Sequence, residues 1–242
     1  MLCCRERGIE VWFKLDLMRH EIPLSRVDYL DELPVLVFSQ MPAPNGAIIV
    51  KRALDIALSL MLLAALSPAL LLTALAVRLS SPGPIIFRQR RIGLNGREFT
   101  VYKFRSMNVH PPDQRLTLSN EMSGPVFKMK EDPRVTPLGR FMRQYSLDEL
   151  PQLWNVLLGE MSLVGPRPPL PDEVDQYKDW HRRRLSMRPG ITGLWQVMGR
   201  NRIPDFNEWV KLDLCYLDGW SLWLDLKIML KTIPVVLRGT GL

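Results

Sequence analysis

Cysteine and histidine are scarce in this chain of 242 residues, and their scarcity closes off several chemistries. The three cysteines, Cys3, Cys4 and Cys215, are odd in number and irregular in spacing. They support neither a disulfide framework nor a zinc site, and they fit a reducing compartment. The three histidines, His20, His110 and His181, are scattered, which is the pattern of surface or core residues and not of metal ligands. No Gly-x-x-x-x-Gly-Lys-Ser/Thr motif occurs, so nucleotide binding of the P-loop kind has no support. No internal repeat is visible. Acidic residues are in deficit, 25 against 32 Lys and Arg, which leaves a net charge of +7. Anionic partners follow from that balance: acidic lipid headgroups, phosphorylated ligands or nucleic acid. No DNA- or RNA-binding signature accompanies it, and the basic residues flank membrane-like segments, so a nucleic-acid partner is poorly supported.

Charge is missing altogether from Ile56 to Val77. That run of about 22 residues would make a straight helix of about 33 Å, enough to cross a hydrocarbon core of about 30 Å. It is interrupted near its middle by Ser67-Pro68. Proline deletes one helical hydrogen bond and kinks the rod, and a serine hydroxyl can satisfy the backbone group so freed. Lys51 and Arg52 precede the run and Arg78 follows it, so the positive-inside rule assigns no polarity. A kinked spanning helix and a re-entrant hairpin with both ends on one face both fit the run. Some fifty mostly non-hydrophobic residues come first, which argues against a secretory signal.

Residues 1–46 form a separate piece, with strand-like stretches at 8–13 and 33–38 around a polar stretch of helical character, closed by a Pro/Gly linker at 41–46. Beyond the membrane run, Ser81-Pro82-Gly83-Pro84 is a hard stop. Residues 85–90 and 98–104 read as two strands, with Asn95-Gly96 between them as the signal of a type I′ hairpin turn. This hairpin carries Arg88, Arg90, Arg91, Arg97, Lys103 and Arg105, a set suited to headgroups or phosphates. Further helices are expected over 138–145, 147–158, a basic 174–187 and 206–216, with a turn-rich loop at 188–193. Residues 220–237 place apolar side chains on one side with Lys227, Lys231 and Arg238 able to snorkel, the pattern of an interfacial helix or of an amphipathic core helix.

The stretch Ser146-Leu-Asp148-Glu149-Leu-Pro151-Gln152 sets two adjacent carboxylates at a helix start. Ser146 with Glu149 fits a capping box, and acids favour a first helical turn through the dipole. Arg140 and Arg143 lie just upstream and Gly165-Pro166-Arg167-Pro168 follows, which also suits phosphoryl chemistry. A divalent metal could bridge the carboxylates and a diphosphate, an aspartate could attack phosphorus, and arginines could clamp phosphate bidentately.

In order, Lys51-Arg52-Ala-Leu-Asp55, Ser67-Pro68, Ser81-Pro-Gly-Pro84, Tyr102-Lys103-Phe-Arg-Ser-Met107, the Asp148-Glu149 stretch, Gly165-Pro-Arg167-Pro168, Arg188-Pro-Gly-Ile-Thr-Gly-Leu-Trp-Gln196 and Gly199-Arg200-Asn201 resemble the bacterial sugar transferases. These are the monotopic polyprenyl-phosphate glycosyl-1-phosphate transferases. The order and spacing carry the resemblance, over about residues 50–242. It implies an α+β fold, predominantly α-helical, with a re-entrant membrane helix broken at Ser67 and Pro68, a short β-hairpin and interfacial amphipathic helices. The implied division is a partial α/β segment over 1–46 and a catalytic domain over 47–242. The implied reaction moves hexose 1-phosphate from a UDP-hexose to undecaprenyl phosphate, releasing UMP, as the first membrane step of exopolysaccharide, capsule or O-antigen synthesis. Asp148 would be the nucleophile of a covalent phosphosugar intermediate, and Glu149 would join it at a Mg2+ site. Lys103, Arg143, Arg167 and Arg200 match basic, phosphate-binding positions, and Asp213 matches an acidic one with no role assigned. The implied location is the bacterial inner membrane with the catalytic domain on its cytoplasmic face, among membrane lipid; a homodimer is left open. Residues 120–128 and 233–239 are similar to the large, hexose-transferring branch, whose members carry additional membrane helices and a Rossmann-like domain upstream. Residues 1–46 look like the tail of that domain. An inactive membrane-anchored binding protein is the rival reading.

Overall fold

The computed structural model describes residues 25–30, 33–38, 45–108, 123–126, 129, 132–199, 203 and 205–239. The chain divides into two compact units, Met1–Ser39 and Gln40–Leu242. In the first, β1 (Ser25–Leu30) pairs antiparallel with β2 (Leu33–Phe38), with Leu30 opposite Leu33. Strand β2 is the expected one. Strand β1 replaces part of the stretch read as helical. Its Arg26-Val27-Asp28-Tyr29 alternation has the period of a strand, and an apolar neighbour is at hand to pair with. The strand expected at 8–13 lies outside the described residues.

The second unit begins with helix α1 (Asn45–Ser80). Its apolar window has a mean hydropathy of 2.4 and only 6% of it is buried, so it is not a core helix. Pro68 lies inside α1 without ending it. The reason is local: Ser67 Oγ donates to the Ala64 carbonyl at 2.8 Å, the acceptor four residues back that Pro68 cannot serve.

Strands β3 (Ile86–Ile92) and β4 (Glu98–Phe104) form the expected antiparallel hairpin. Asn95 and Gly96 both take positive φ, 55° and 78°, and the Arg97 N–H closes the turn on the Leu94 carbonyl. The connection is longer than a two-residue loop, because the β3–β4 ladder closes at Ile92 and Glu98. Helices α2 (Pro137–Gln144) and α3 (Gln152–Leu158) follow, then β5 (Ser162–Val164). The helix expected over 147–158 is split: Leu147–Glu149 is a 3-10 turn, and Pro151 separates it from α3. The basic helix expected over 174–187 is also broken, into α4 (Pro171–Asp175), α5 (Asp179–Arg182) and a 3-10 turn at Arg183–Ser186. Part of the loop expected at 188–193 is instead β6 (Gly190–Thr192), parallel to β5. Gly190 permits that pairing, since a Cβ there would meet the Gly165 nitrogen at 2.1 Å. Helices α6 (Leu194–Met198), α7 (Phe206–Asp218) and α8 (Leu222–Leu237) complete the unit.

Two apolar clusters hold these elements. The larger gathers residues such as Val101, Leu153, Val156, Trp195, Trp209 and Ile228 from β4 through α8. The smaller joins Val77 of α1, Phe104 of β4 and Met142 of α2. Lys51 and Arg52, read as charges flanking the membrane run, are internal ties instead. Lys51 Nζ donates to Asp225 at 2.6 Å and to the Val164 carbonyl at 3.1 Å. The Arg52 guanidinium donates to the carbonyls of Val156 and Leu157 at the C-terminal end of α3. Asp55 accepts from the Leu163 N–H at 3.1 Å. At the other end of α1, Arg105 donates to the carbonyls of Val77, Ser81 and Pro84. Both ends of α1 are therefore fastened to one body, while Leu60, Met61, Leu71 and Leu72 between them stay exposed.

Candidate active site

The carboxylate pair sits on the 3-10 turn between α2 and α3. Helix α2 is capped by Thr136, whose side chain accepts from the Gly139 N–H, and ends as the Ser146 N–H reaches the Arg143 carbonyl. Ser146 is left-handed, with φ 56°, and makes no side-chain cap. The capping-box reading is thus overturned: a left-handed residue closing α2 cannot also be the extended N-cap of the next helix. Pro151 then stands ahead of α3, where no helical N–H is needed.

Asp148 is only 6% exposed. Burial pushes its carboxyl above the usual range. The Lys103 charge pulls it back, Glu149 pushes it further up, and Arg143 again lowers it. Glu149 faces β4, and Lys103 Nζ donates to its Oε1 at 2.7 Å. Arg143, on the last turn of α2, donates through Nε to Ser106 Oγ at 3.0 Å. Burial lowers its pKa, while the Asp148 and Asp132 charges raise it. Its guanidinium remains a cation throughout the physiological range. Four of the expected site residues, Lys103, Arg143, Asp148 and Glu149, therefore share one electrostatic environment.

Arg167 pairs with buried Glu173 at 3.2 Å. It adjoins a second cluster, in which fully buried Arg184 donates to Asp213 at 2.5 Å and to the Tyr177 hydroxyl at 2.9 Å. Asp213 thereby has a structural partner, which its sequence context gave no means of naming. Arg200 lies outside the described residues. Ser67 and Pro68 lie in α1, away from the polar turn in sequence and exposed.

Several positioning residues support this group. Asn155 of α3 is fully buried and accepts from the Tyr102 N–H at 3.2 Å while donating to the Thr100 carbonyl at 2.6 Å. It holds the helix after the carboxylate turn against the strand that carries Lys103. Ser106 holds Arg143, and Gly139 packs α2 so closely on the Ser106 backbone that a Cβ would meet its carbonyl oxygen at 1.9 Å. A polar residue inside an apolar helical pattern was the available signal for Asn155; Ser106 lies in the Tyr102–Met107 motif, with no role assigned to it there.

The donor set around the turn is two carboxylates on adjacent residues. Hard oxygen donors of this kind fit Mg2+, which takes one or two carboxylates and completes its shell with phosphate oxygens and water. Among the described residues no group of three His, Cys, Asp or Glu offers a fuller metal site.

Residues 46–239 match the model of the family described as bacterial sugar transferase. The chain is 46% identical over 219 residues to the galactosyl transferase CpsE of Streptococcus agalactiae, covering 90% of this chain and 49% of that protein. It is 41% identical over 230 residues to the undecaprenyl-phosphate galactose phosphotransferase of Salmonella typhimurium, covering 91% and 48%. It is 42% identical over 212 residues to the exopolysaccharide production protein ExoY of Sinorhizobium fredii, covering 83% and 93%. The chain thus spans about half the length of the first two relatives and most of the third.

Proposed function

We propose that this chain, which belongs to the bacterial sugar transferase family, transfers a hexose 1-phosphate from a UDP-hexose to undecaprenyl phosphate. The observation that carries the reading is the buried Asp148 carboxylate between the Lys103 and Arg143 charges, on a body fastened to both ends of a long apolar helix. In the first step an Asp148 oxygen attacks the phosphorus bonded to the sugar. The bond from that phosphorus to the oxygen of the neighbouring phosphate breaks, and UMP departs. In the second, an oxygen of undecaprenyl phosphate attacks the same phosphorus. Asp148 leaves as a carboxylate, and undecaprenyl-diphosphate-hexose forms.

Burial disfavours the ionised Asp148, and the two cations oppose that effect. They favour the ionised, nucleophilic carboxylate against the burial that raises its pKa. They also offset the charge that builds on the transferring phosphoryl group. Glu149 is positioned by Lys103 and, with Asp148, would hold Mg2+. Bound there, the metal would neutralise diphosphate charge and aid departure of UMP. Arg167, paired with Glu173, and Arg200 are further phosphate-binding candidates.

The chain is membrane-associated through α1. A re-entrant α1 is supported by the ties at both its ends, by exposed leucines between them and by the Ser67 compensation at Pro68. A second apolar surface supports an interfacial α8. Trp223, Leu226, Leu230, Ile233 and Leu237 recur at three- and four-residue spacing and are all exposed, with Lys227 beside the Trp223 ring. These surfaces seat the carboxylate turn at the face where a water-soluble UDP-hexose meets a lipid phosphate; by this reading that face is the cytoplasmic one. No observation favours an inactive binding protein, since the dyad and two basic partners are present and assembled.

The test is the purified protein in detergent with radiolabelled UDP-glucose or UDP-galactose, undecaprenyl phosphate and Mg2+. Label in the lipid fraction with matching UMP release is expected; no lipid-linked label with either sugar would reject the reading.

A further inference from the structure

A groove of about 550 Å³ runs along the start of β3, lined by Pro84, Ile85, Ile86, Phe87 and Arg88. It is a shallow, open groove formed by one stretch of chain, and most of its lining is apolar. Three relationships give it a direction. Its Ile85 and Ile86 pack in the cluster that holds Leu70, Ala74 and Val77 of the membrane helix. Leu147, the residue before Asp148, belongs to the same cluster. Phe87, 45% exposed, lies directly opposite Lys103 in the hairpin ladder. Directly opposed residues share a face of the sheet with Cβ atoms about 5 Å apart. The groove therefore lies between the cluster on the apolar helix and Phe87, the neighbour of Lys103 across the ladder.

We infer that this groove holds the first isoprene units of the polyprenyl phosphate acceptor, with Phe87 as the last apolar contact before the phosphate reaches Lys103. The inference rests on the transfer reaction proposed above and adds the place where its lipid substrate binds. The occupant follows from the chemistry of the path. One end adjoins a lipid-facing helix, so the ligand has an apolar chain that can remain in the bilayer. Phe87 shares its sheet face with cationic Lys103, whereas Arg88 pairs with Tyr102 on the opposite face, its guanidinium 5.9 Å from that ring. An anionic headgroup is complementary to Lys103. A UDP-sugar, polar along its whole length, gains nothing from the apolar residues 84–87.

The experiment uses the full chain in detergent. A polyprenyl phosphate with a photoreactive diazirine in its second isoprene unit is the binding probe, and unmodified undecaprenyl phosphate is the kinetic substrate. Cross-links are expected within residues 84–88. Phe87→Ser is expected to raise the acceptor KM about tenfold, the loss of part of one aromatic contact, and Phe87→Leu to recover most of it. The UDP-hexose KM is expected to stay within about twofold in both variants. Phe87 is exposed, so the melting temperature should not move; a matching fall in melting temperature and both KM effects would assign Phe87 to folding and overturn the inference. Cross-links elsewhere, or an unchanged acceptor KM in Phe87→Ser, would also overturn it, while continued sugar-phosphate transfer would leave the enzyme reading standing. Cross-links in the groove without any transfer by the unmodified chain would do the reverse.

Discussion

Lys103 and Glu149 meet at 2.7 Å across 46 residues of sequence, each about one quarter exposed. The contact joins the hairpin strand to the turn that carries Asp148. It gives the acidic pair a cation without sealing it from solvent, which is what a site admitting a charged diphosphate requires. A pair this exposed contributes under about 1 kcal/mol to stability, so its value is to be sought in activity.

Replacing Lys103 by Ala should lower kcat by on the order of 10²-fold, the cost of removing one preorganised charge, with a melting temperature shift of only a few degrees. Glu149→Gln should raise the Mg2+ concentration needed for half-maximal turnover. Steady-state kinetics over a Mg2+ titration checks both; an unchanged Mg2+ response in Glu149→Gln would remove Glu149 from the proposed Mg2+ site.

The ties at the two ends of α1 predict its topology. Single cysteines placed at Asn45 and at Arg78, in a Cys3, Cys4 and Cys215-free background, should react with a membrane-impermeant maleimide from the same side of sealed vesicles. Labelling from opposite sides would restore a spanning helix and would conflict with Asp55 and Arg105 binding one body.

Arg184 and Asp213 are each about 1% exposed and paired at 2.5 Å. Asp213→Ala would leave a buried guanidinium with only the Tyr177 hydroxyl and the Arg167 carbonyl as acceptors. A loss of about 3–5 kcal/mol is expected by denaturant titration, whereas Arg184→Met with Asp213→Leu should lose much less. A mild effect of Asp213→Ala on stability with a large one on kcat would move Asp213 from the scaffold to the chemistry.

His181 is buried beside Tyr177, Trp180 and Phe206. Its Nδ1 accepts from the Lys178 N–H, which places the ring proton on Nε2 toward Asn207 Oδ1. Burial lowers its pKa, the Asn207 contact opposes that shift, and the Lys178 and Arg184 charges add to it. A depressed pKa means that the unfolded chain binds the proton more readily. The stability His181 confers is thus present above its ordinary value near 6.5 and is lost as pH falls through the folded value. Melting curves at pH 7.5 and 5.5 should show an acid loss in the unmodified protein that shrinks in His181→Gln; equal losses would locate the titrating group elsewhere.

Much of the fold is legible because it is local. The uncharged run and its Ser67-Pro68 break give α1, and Asn95-Gly96 gives a turn with two positive φ values. The errors arise where distant contacts decide. Lys51 and Arg52 look like membrane-flanking charges until Asp225 and the end of α3 arrive from more than a hundred residues away. Residues 147–158 have the composition of one helix, yet left-handed Ser146 and Pro151 divide them and set Asp148 on its own turn. Strand β6 is three residues long and exists because β5 and two close-packed glycines admit it, which no periodicity could report. The apolar residues of α8 are visible in the sequence, but a core-facing and a surface-facing stripe read alike there, and it is their exposure that separates the two.

The proposed mechanism requires a covalent bond between Asp148 and the transferring phosphorus. Incubating the protein with UDP-hexose labelled with ³²P in the sugar-linked phosphate, without lipid acceptor, and digesting it should place the label on the peptide containing Asp148. Undecaprenyl phosphate should then discharge that label into lipid, and Asp148→Asn should neither acquire label nor turn over. Full transfer activity in Asp148→Asn, or label on a different residue that discharges at the rate of turnover, would exclude Asp148 as the nucleophile.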